Sequence, residues 1–198
     1  LIFTLLLPAW LIFKQPDLGS SLVLSAGWLG LIFTAGLPLI TMGISLVLLT
    51  SAGPLLWHLL HDYQKQRLIT FFNPSIDPHK AGYNAIQAML TVGSGKLWGR
   101  GLGQGTQSHL KFLPERHTDF IFASLSEELG FLGASLTLVL FGLLLWRILV
   151  IARRTTDPFG RLICFGVFAL IFFQMFINVA MNLGLAPITG VTLPLISS

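Results

Sequence analysis

From Leu18 to Leu60 the sequence contains no Asp, Glu, Lys or Arg. A helix rises about 1.5 Å per residue and the hydrocarbon core of a bilayer is about 30 Å thick, so one crossing takes roughly 20 residues. The uncharged run is about twice that length and must fold back on itself. Ala35-Gly36-Leu37-Pro38 is the natural break, because Pro cannot continue a helix and Gly permits the turn. Two antiparallel spans are expected, Leu18 to Gly36 and Pro38 to Leu60. Leu1 to Phe13 is apolar but too short to cross and reads as the end of a further span. Two more are expected at about Asp119 to Trp146 and at Leu162 to Gly184.

Composition narrows the class. The chain is 54% hydrophobic and 10% charged, where a soluble domain has about 45 to 50% and about 25%. A water-soluble enzyme and a disordered tail are excluded. A β-barrel needs segments of about 10 residues alternating apolar and polar, and the runs here are apolar on every face. The expected fold is an all-α, polytopic transmembrane helical bundle with a large extracytoplasmic loop. The net charge of +4 does not signal nucleic acid. The basic residues are scattered through loops, where topology control and anionic membrane lipid account for them. Cys164, the one cysteine, permits no internal disulfide. The five histidines show no metal spacing, so neither a metal nor another cofactor is expected; divalent-cation dependence is not legible. The chain starts at Leu1 inside an apolar run and ends as another segment begins, so both ends are expected to be internal to a longer protein.

Sidedness follows from the cations. Arg147, Arg153, Arg154 and Arg161 crowd a short connection, whereas residues 61–118 spread seven basic residues over 58. The positive-inside bias makes the short connection cytoplasmic and segment 61–118 extracytoplasmic. Three divisions result: membrane helices over 1–60, a large outer loop over 61–118, and membrane helices over 119–198 with a basic cytoplasmic loop at 147–161. Within the outer loop, Ala85 to Val92 is apolar but too short to cross and is expected as an interfacial or re-entrant helix.

Gly93 to Gly105 has six glycines in 13 residues. Glycine admits positive φ and exposes N–H groups, so with Lys96 and Arg100 the turn reads either as a phosphate cradle or as a flexible loop with two solvated cations. Pro114 is expected to start a helix on which Glu115 and Asp119 share a face. Asp119 stands where the polar loop gives way to a span. A carboxylate there is costly unless it faces a cavity or a partner, which makes it a functional candidate, with an interfacial ion pair to Arg116 or another cation as the plain reading. Glu127 and Glu128 read as helix–helix contacts. Gln15 and Asp17 begin a span on the same side, as helix initiators or cavity-lining groups. Gln174, Asn178 and Asn182, four residues apart, form one polar stripe that suits helix packing or a substrate path.

These residues together carry a resemblance. Gln15-Pro16-Asp17-Leu18-Gly19, the Pro78 to Tyr83 stretch, the Gly-rich run, and Leu113-Pro114-Glu115-Arg116-His117-Thr118-Asp119-Phe120-Ile121-Phe122-Ala123 are the first part. Glu127-Glu128-Leu129-Gly130, Asn178, Pro187-Ile188-Thr189-Gly190 and Leu193 to Ser197 complete it. In this order they resemble the SEDS proteins of bacterial shape, elongation, division and sporulation. Gln66-Arg67, Gly105-Thr106-Gln107-Ser108 and Pro114 to His117 are more similar to the family's rod-shape members than to its division members. The resemblance implies a fold of about ten membrane helices in the bacterial cytoplasmic (inner) membrane, of which this chain covers roughly the fifth to the ninth. It implies a glycosyltransferase that polymerises lipid II into peptidoglycan strands on the extracytoplasmic side and releases undecaprenyl pyrophosphate. The family's essential aspartate maps onto Asp119, as general base. Lys96, Arg100, Lys111 and Arg116 are then candidates for the pyrophosphate, Glu115 for orienting the substrate, and His117, Gln15 and Asp17 for further substrate contacts. The implied partners are a class B penicillin-binding protein transpeptidase and other cell-elongation membrane proteins. The rival readings are a lipid II flippase and a non-catalytic scaffold for the penicillin-binding protein.

Overall fold

The computed structural model of the protein describes residues 18–34, 36, 61–73, 81–105 and 118–197. Their regular structure is entirely helical: α1 (Leu18–Thr34), α2 (Asp62–Phe72), α3 (Ala81–Ser94), α4 (Ile121–Arg154) and α5 (Pro158–Asn182). Helices α4 and α5 are long and apolar enough to cross a membrane, each containing an 18-residue stretch with a mean hydropathy of 2.3. The chain is an all-α, polytopic membrane fold. The spans expected over Leu1 to Phe13 and Pro38 to Leu60 lie outside the described residues.

The α4–α5 connection is tighter than the cation count suggested. Only residues 155–157 separate the two helices. Arg147, Arg153 and Arg154 lie within α4 and Arg161 in the first turn of α5. The reason is local. Arg153 and Arg154 complement the negative end of the α4 dipole, and Asp157 caps α5, accepting from the Gly160 N–H at 2.7 Å with Pro158 at the first helical position. The stretch Ala85 to Val92, expected as an interfacial or re-entrant helix, is helical as part of α3. Helix α2, polar along its first half, was not anticipated.

The chain forms two compact units. One comprises residues 1–66 and 148–170. In it α1 meets the first part of α5 through small residues. A methyl on Gly30 would stand 2.7 Å from Ala169 Cβ, and one on Gly27 2.8 Å from Leu170 Cδ2. Such close approach replaces the hydrophobic effect, which gives no drive between helices in lipid.

The other unit comprises residues 67–147 and 171–198. Here α3 packs across the start of α4, with Phe120, Ala88 and Ala123 buried together and Val92 and Ile188 against them. A second cluster joins Phe122, Ala134 and Phe141 of α4 to Leu193, with Ile171, Met175 and Val179 of α5 alongside.

Helix α4 has 34 residues and would extend about 51 Å if straight, well beyond one crossing. It is broken at Gly130, whose φ of 67° and ψ of −168° are not helical. In an unbroken helix the Phe131 and Leu132 N–H groups would bond the Glu127 and Glu128 carbonyls. Instead they donate to the Lys96 and Leu97 carbonyls at 2.8 and 3.2 Å. The released carbonyls of Glu127 and Glu128 accept from the Arg100 and Gly101 N–H groups at 2.9 and 3.1 Å. The Gly-rich segment thus stitches the break with four backbone bonds, as apolar surroundings require of any interrupted helix.

Glycine is what lets the two backbones meet. A Cβ on Gly99 would overlap the Glu128 carbonyl, and one on Gly130 would overlap the Gly99 nitrogen; both residues also have positive φ. A Cβ on Gly95 would overlap the Ser126 carbonyl, whereas one on Gly93 meets nothing within 4 Å. Gly99→Ala and Gly130→Ala should each destabilise the folded protein by about 2 kcal/mol or more, from backbone strain and the displaced stitch, while Gly93→Ala stays within about 0.5 kcal/mol of the parent. Unfolding in detergent, followed by helical circular dichroism, measures the contrast.

Candidate functional site

Asp119 is not itself helical, and Pro114 to His117, where the spacing predicts a helix start, lie outside the described residues. It occupies a turn over residues 118–120 that immediately precedes α4, so arguments from angular position around one continuous helix do not apply to it. Three side chains hold that turn through its backbone. The Asp119 carbonyl accepts from Asn178 Nδ2 at 2.9 Å and from Asn182 Nδ2 at 3.1 Å. The Thr118 carbonyl accepts from Ser197 Oγ at 3.2 Å. Phe120, 2% exposed, plugs the turn into the α3–α4 core.

Both asparagines are fully buried on α5. Asn178 also donates to the Val191 carbonyl at 2.7 Å, and Asn182 to the Asn178 carbonyl at 2.8 Å. Their positions, one helical turn apart, point both amides at the same place. One pair of amides thereby ties α5 to the Asp119 turn and to the segment after α5. The polar stripe read in the sequence is in these two positions an anchoring device for Asp119.

The Asp119 carboxylate is half-buried and is directed toward Gly190. The point where a Cβ would stand on that glycine is 3.6 Å from Asp119 Oδ2 and 3.9 Å from Arg67 Nη1. Arg67, from α2, donates through Nη1 to the Ile188 carbonyl at 3.2 Å. An acid and a guanidinium from distant parts of the sequence therefore converge on one residue without a side chain. Sequence reasoning noted Arg67 only as a mark of resemblance. The signal available was a lone cation heading the apolar Leu68-Ile69-Thr70-Phe71-Phe72 stretch.

The other expected site residues fall elsewhere. Lys96 and Arg100 are exposed on the Gly-rich segment, whose backbone contacts run to Glu127 through Leu132, about two helical turns beyond Asp119. The N–H groups of Arg100 and Gly101 serve the α4 carbonyls. For those two groups the phosphate-cradle expectation is corrected: they close a helix break, and the segment there is a structural joint and not a loose loop. Glu127 is fully buried and accepts from Ser94 Oγ at 3.3 Å, a contact between α3 and α4 of the kind expected. Gln15, Asp17, Lys111, Glu115, Arg116 and His117 lie outside the described residues.

A family model described as cell cycle protein, covering FtsW, RodA and SpoVE, matches residues 1–198. The chain is 45% identical over 192 residues to the peptidoglycan glycosyltransferase MrdB of Escherichia coli K12, an alignment covering 96% of this chain and 52% of that protein. It is 42% identical over 187 residues to the stage V sporulation protein E of Bacillus subtilis, covering 94% and 50%. A solved structure described as structural coordination of polymerization and crosslinking by a peptidoglycan synthase complex contains a chain of similar fold. Its TM-score is 0.79 at 32% identity, over 99% of this chain and 54% of that one. The chain thus spans about half the length of the curated relatives it matches.

The anchoring of the turn has a measurable consequence. Asn178→Leu takes the amide donor from the Val191 carbonyl and leaves the Asp119 carbonyl with Asn182 alone, and a buried carbonyl left unpaired costs about 1–3 kcal/mol. The variant should melt at a lower temperature in detergent, and hydrogen exchange should rise around residues 118–124 more than in the α4 segment beyond Gly130.

Proposed function

The chain belongs to the FtsW/RodA/SpoVE family, and from that premise we propose that it forms part of a peptidoglycan glycosyltransferase that polymerises lipid II for cell elongation and rod shape, with Asp119 as general base. The observation that carries the reading is the double amide clamp on the Asp119 carbonyl. It fixes the backbone of a half-buried carboxylate whose side chain opens toward the Gly190 gap. A base must be held within hydrogen-bond reach of the proton it removes, and a fixed backbone with a partly accessible side chain meets that need.

In the proposed reaction the acceptor sugar hydroxyl gives its proton to Asp119 as its oxygen attacks the anomeric carbon of the donor. The bond from that carbon to the diphosphate oxygen breaks, and undecaprenyl diphosphate departs with the electron pair. A diphosphate is stable as an anion, so the step needs cations near the leaving group and no second carboxylic acid. Lys96, Arg100, Lys111 and Arg116 remain proposed contacts for the charged head group. Glu115, His117, Gln15 and Asp17 remain proposed contacts for the sugar and its surroundings. The reaction is assigned to the extracytoplasmic face of the inner membrane. A class B penicillin-binding protein is the proposed partner, supported by the similarity to a chain from a polymerising and crosslinking complex.

A lipid II flippase would use intramembrane polar residues as a path. Two of the three stripe residues, Asn178 and Asn182, instead spend their amides on backbone carbonyls, which favours the transferase. Full-length protein in detergent has no second compartment, so glycan chains made there from lipid II separate polymerisation from flipping. Asp119→Asn should lower the rate by about 10²- to 10⁴-fold with partner binding retained. Unchanged polymerisation by this variant, measured by gel separation of the glycan products, would sink the base assignment and return the scaffold reading.

A further inference from the structure

Arg67 lines a cavity of about 40 Å³ with Thr70, Met89, Pro187 and Ile188 among its walls. That is room for roughly three water-sized groups. Arg67 and Thr70, three residues apart on α2, share one helix face. Thr70 is 2% exposed, and its hydroxyl has no hydrogen-bond partner among the described residues. The contrast with other helical hydroxyls is informative. Ser25, Thr91, Ser126 and Thr137 each bond the carbonyl four residues back, the local outlet open to any such side chain, while Ser124 on α4 shares the unpartnered state. Thr70 does not take it. A buried polar atom without a partner is costly and calls for a ligand or a bound water.

Arg67 links this cavity to the acid: it lines the cavity, and its Nη1 and Asp119 Oδ2 approach the same Cβ position on Gly190. A planar guanidinium carries five N–H donors in a fork that matches phosphoryl oxygens. The bond from Nη1 to the Ile188 carbonyl orients that fork. The remaining walls are apolar, which strengthens a charge-assisted bond by excluding water.

We infer that Arg67 and the Thr70 hydroxyl form the binding site for the terminal phosphoryl group of a polyprenyl diphosphate, beside the carboxylate of Asp119. The site rests on the proposed transferase reading and deepens it. Arg67 receives the charge that develops on the departing diphosphate while Asp119 receives the acceptor's proton, and Gly190 leaves the space between them open. Of the cations singled out from the sequence, Lys96 and Arg100 are exposed on the segment that closes the α4 break, and Lys111 and Arg116 lie outside the described residues. Among the described residues, Arg67 is the cation that the contacts around Gly190 bring to Asp119.

The test is equilibrium binding of fluorescent undecaprenyl diphosphate to the full-length protein in detergent, in an Asp119→Asn background that cannot turn over. Arg67→Gln should weaken binding about 10- to 100-fold, as loss of a charged hydrogen-bond partner predicts, with uncharged undecaprenol binding unaltered. Arg67→Lys should fall between, keeping the charge and losing the fork. Thr70→Val, nearly isosteric, should keep the fold and weaken binding several-fold, so the inference remains testable if Arg67→Gln does not fold. Inorganic diphosphate should displace the probe from the Arg67-containing protein at concentrations that leave Arg67→Gln unaffected. Equal affinities in the Arg67 and Thr70 variants would overturn the site. Displacement by phosphatidylglycerol as effective as by diphosphate would also overturn it, reassigning the cavity to bulk lipid. Polymerisation by Asp119→Asn alone, with Arg67-dependent binding intact, would instead remove the base assignment and leave the anion site standing.

Discussion

Inside a bilayer no water is present to satisfy a backbone group, and this constraint decides how α4 can be built. A helix of that length cannot run straight through one crossing, yet breaking it frees two N–H groups and two carbonyls in apolar surroundings. The break at Gly130 exists because residues 96–101 supply the four missing partners in reciprocal order. The same rule explains the turn before α4. Its carbonyls at Thr118 and Asp119 have no helical outlet and are taken up by Ser197, Asn178 and Asn182. The segment carrying Asp119 is therefore held at both ends by backbone satisfaction, in one place by another backbone and in the other by buried amides.

This arrangement changes the meaning of the glycines. A Gly-rich run with two cations suggests anion binding when read alone, because its N–H groups are imagined to point outward. Here the decisive property is the missing Cβ, which allows the carbonyls of α4 to approach. Gly190 uses the same property differently. Its methyl-sized gap is bordered by a carboxylate and a guanidinium, so absence of a side chain creates room for something other than the chain itself.

Charge placement follows from these packing choices. Lys96 and Arg100 are carried outward on the stitched segment, exposed and beside the first third of α4. Arg67 is drawn inward by the Ile188 carbonyl into a mostly apolar cavity. A cation in such surroundings interacts more strongly with an anion than one in water. The result is an acid and a cation that approach one glycine from different parts of the sequence.

Much of this molecule was legible without coordinates. The uncharged run, the sparse charge and the lengths of the apolar segments determined a polytopic helical membrane fold, because hydrocarbon admits few other ways to satisfy a backbone. The abrupt passage from polar loop to apolar span singled out Asp119, and α3 was foreseen from an apolar stretch too short to cross. Periodicity and spacing report only neighbours along one helix, however. They could not reveal that Lys96 to Gly101 repairs a break more than 25 residues later, that amides on α5 hold the Asp119 carbonyl, or that Arg67 meets Asp119 across Gly190. Those contacts join residues separated by dozens of positions. Only the tertiary packing decided them, since which distant backbone completes an unsatisfied group depends on which surfaces can approach closely enough.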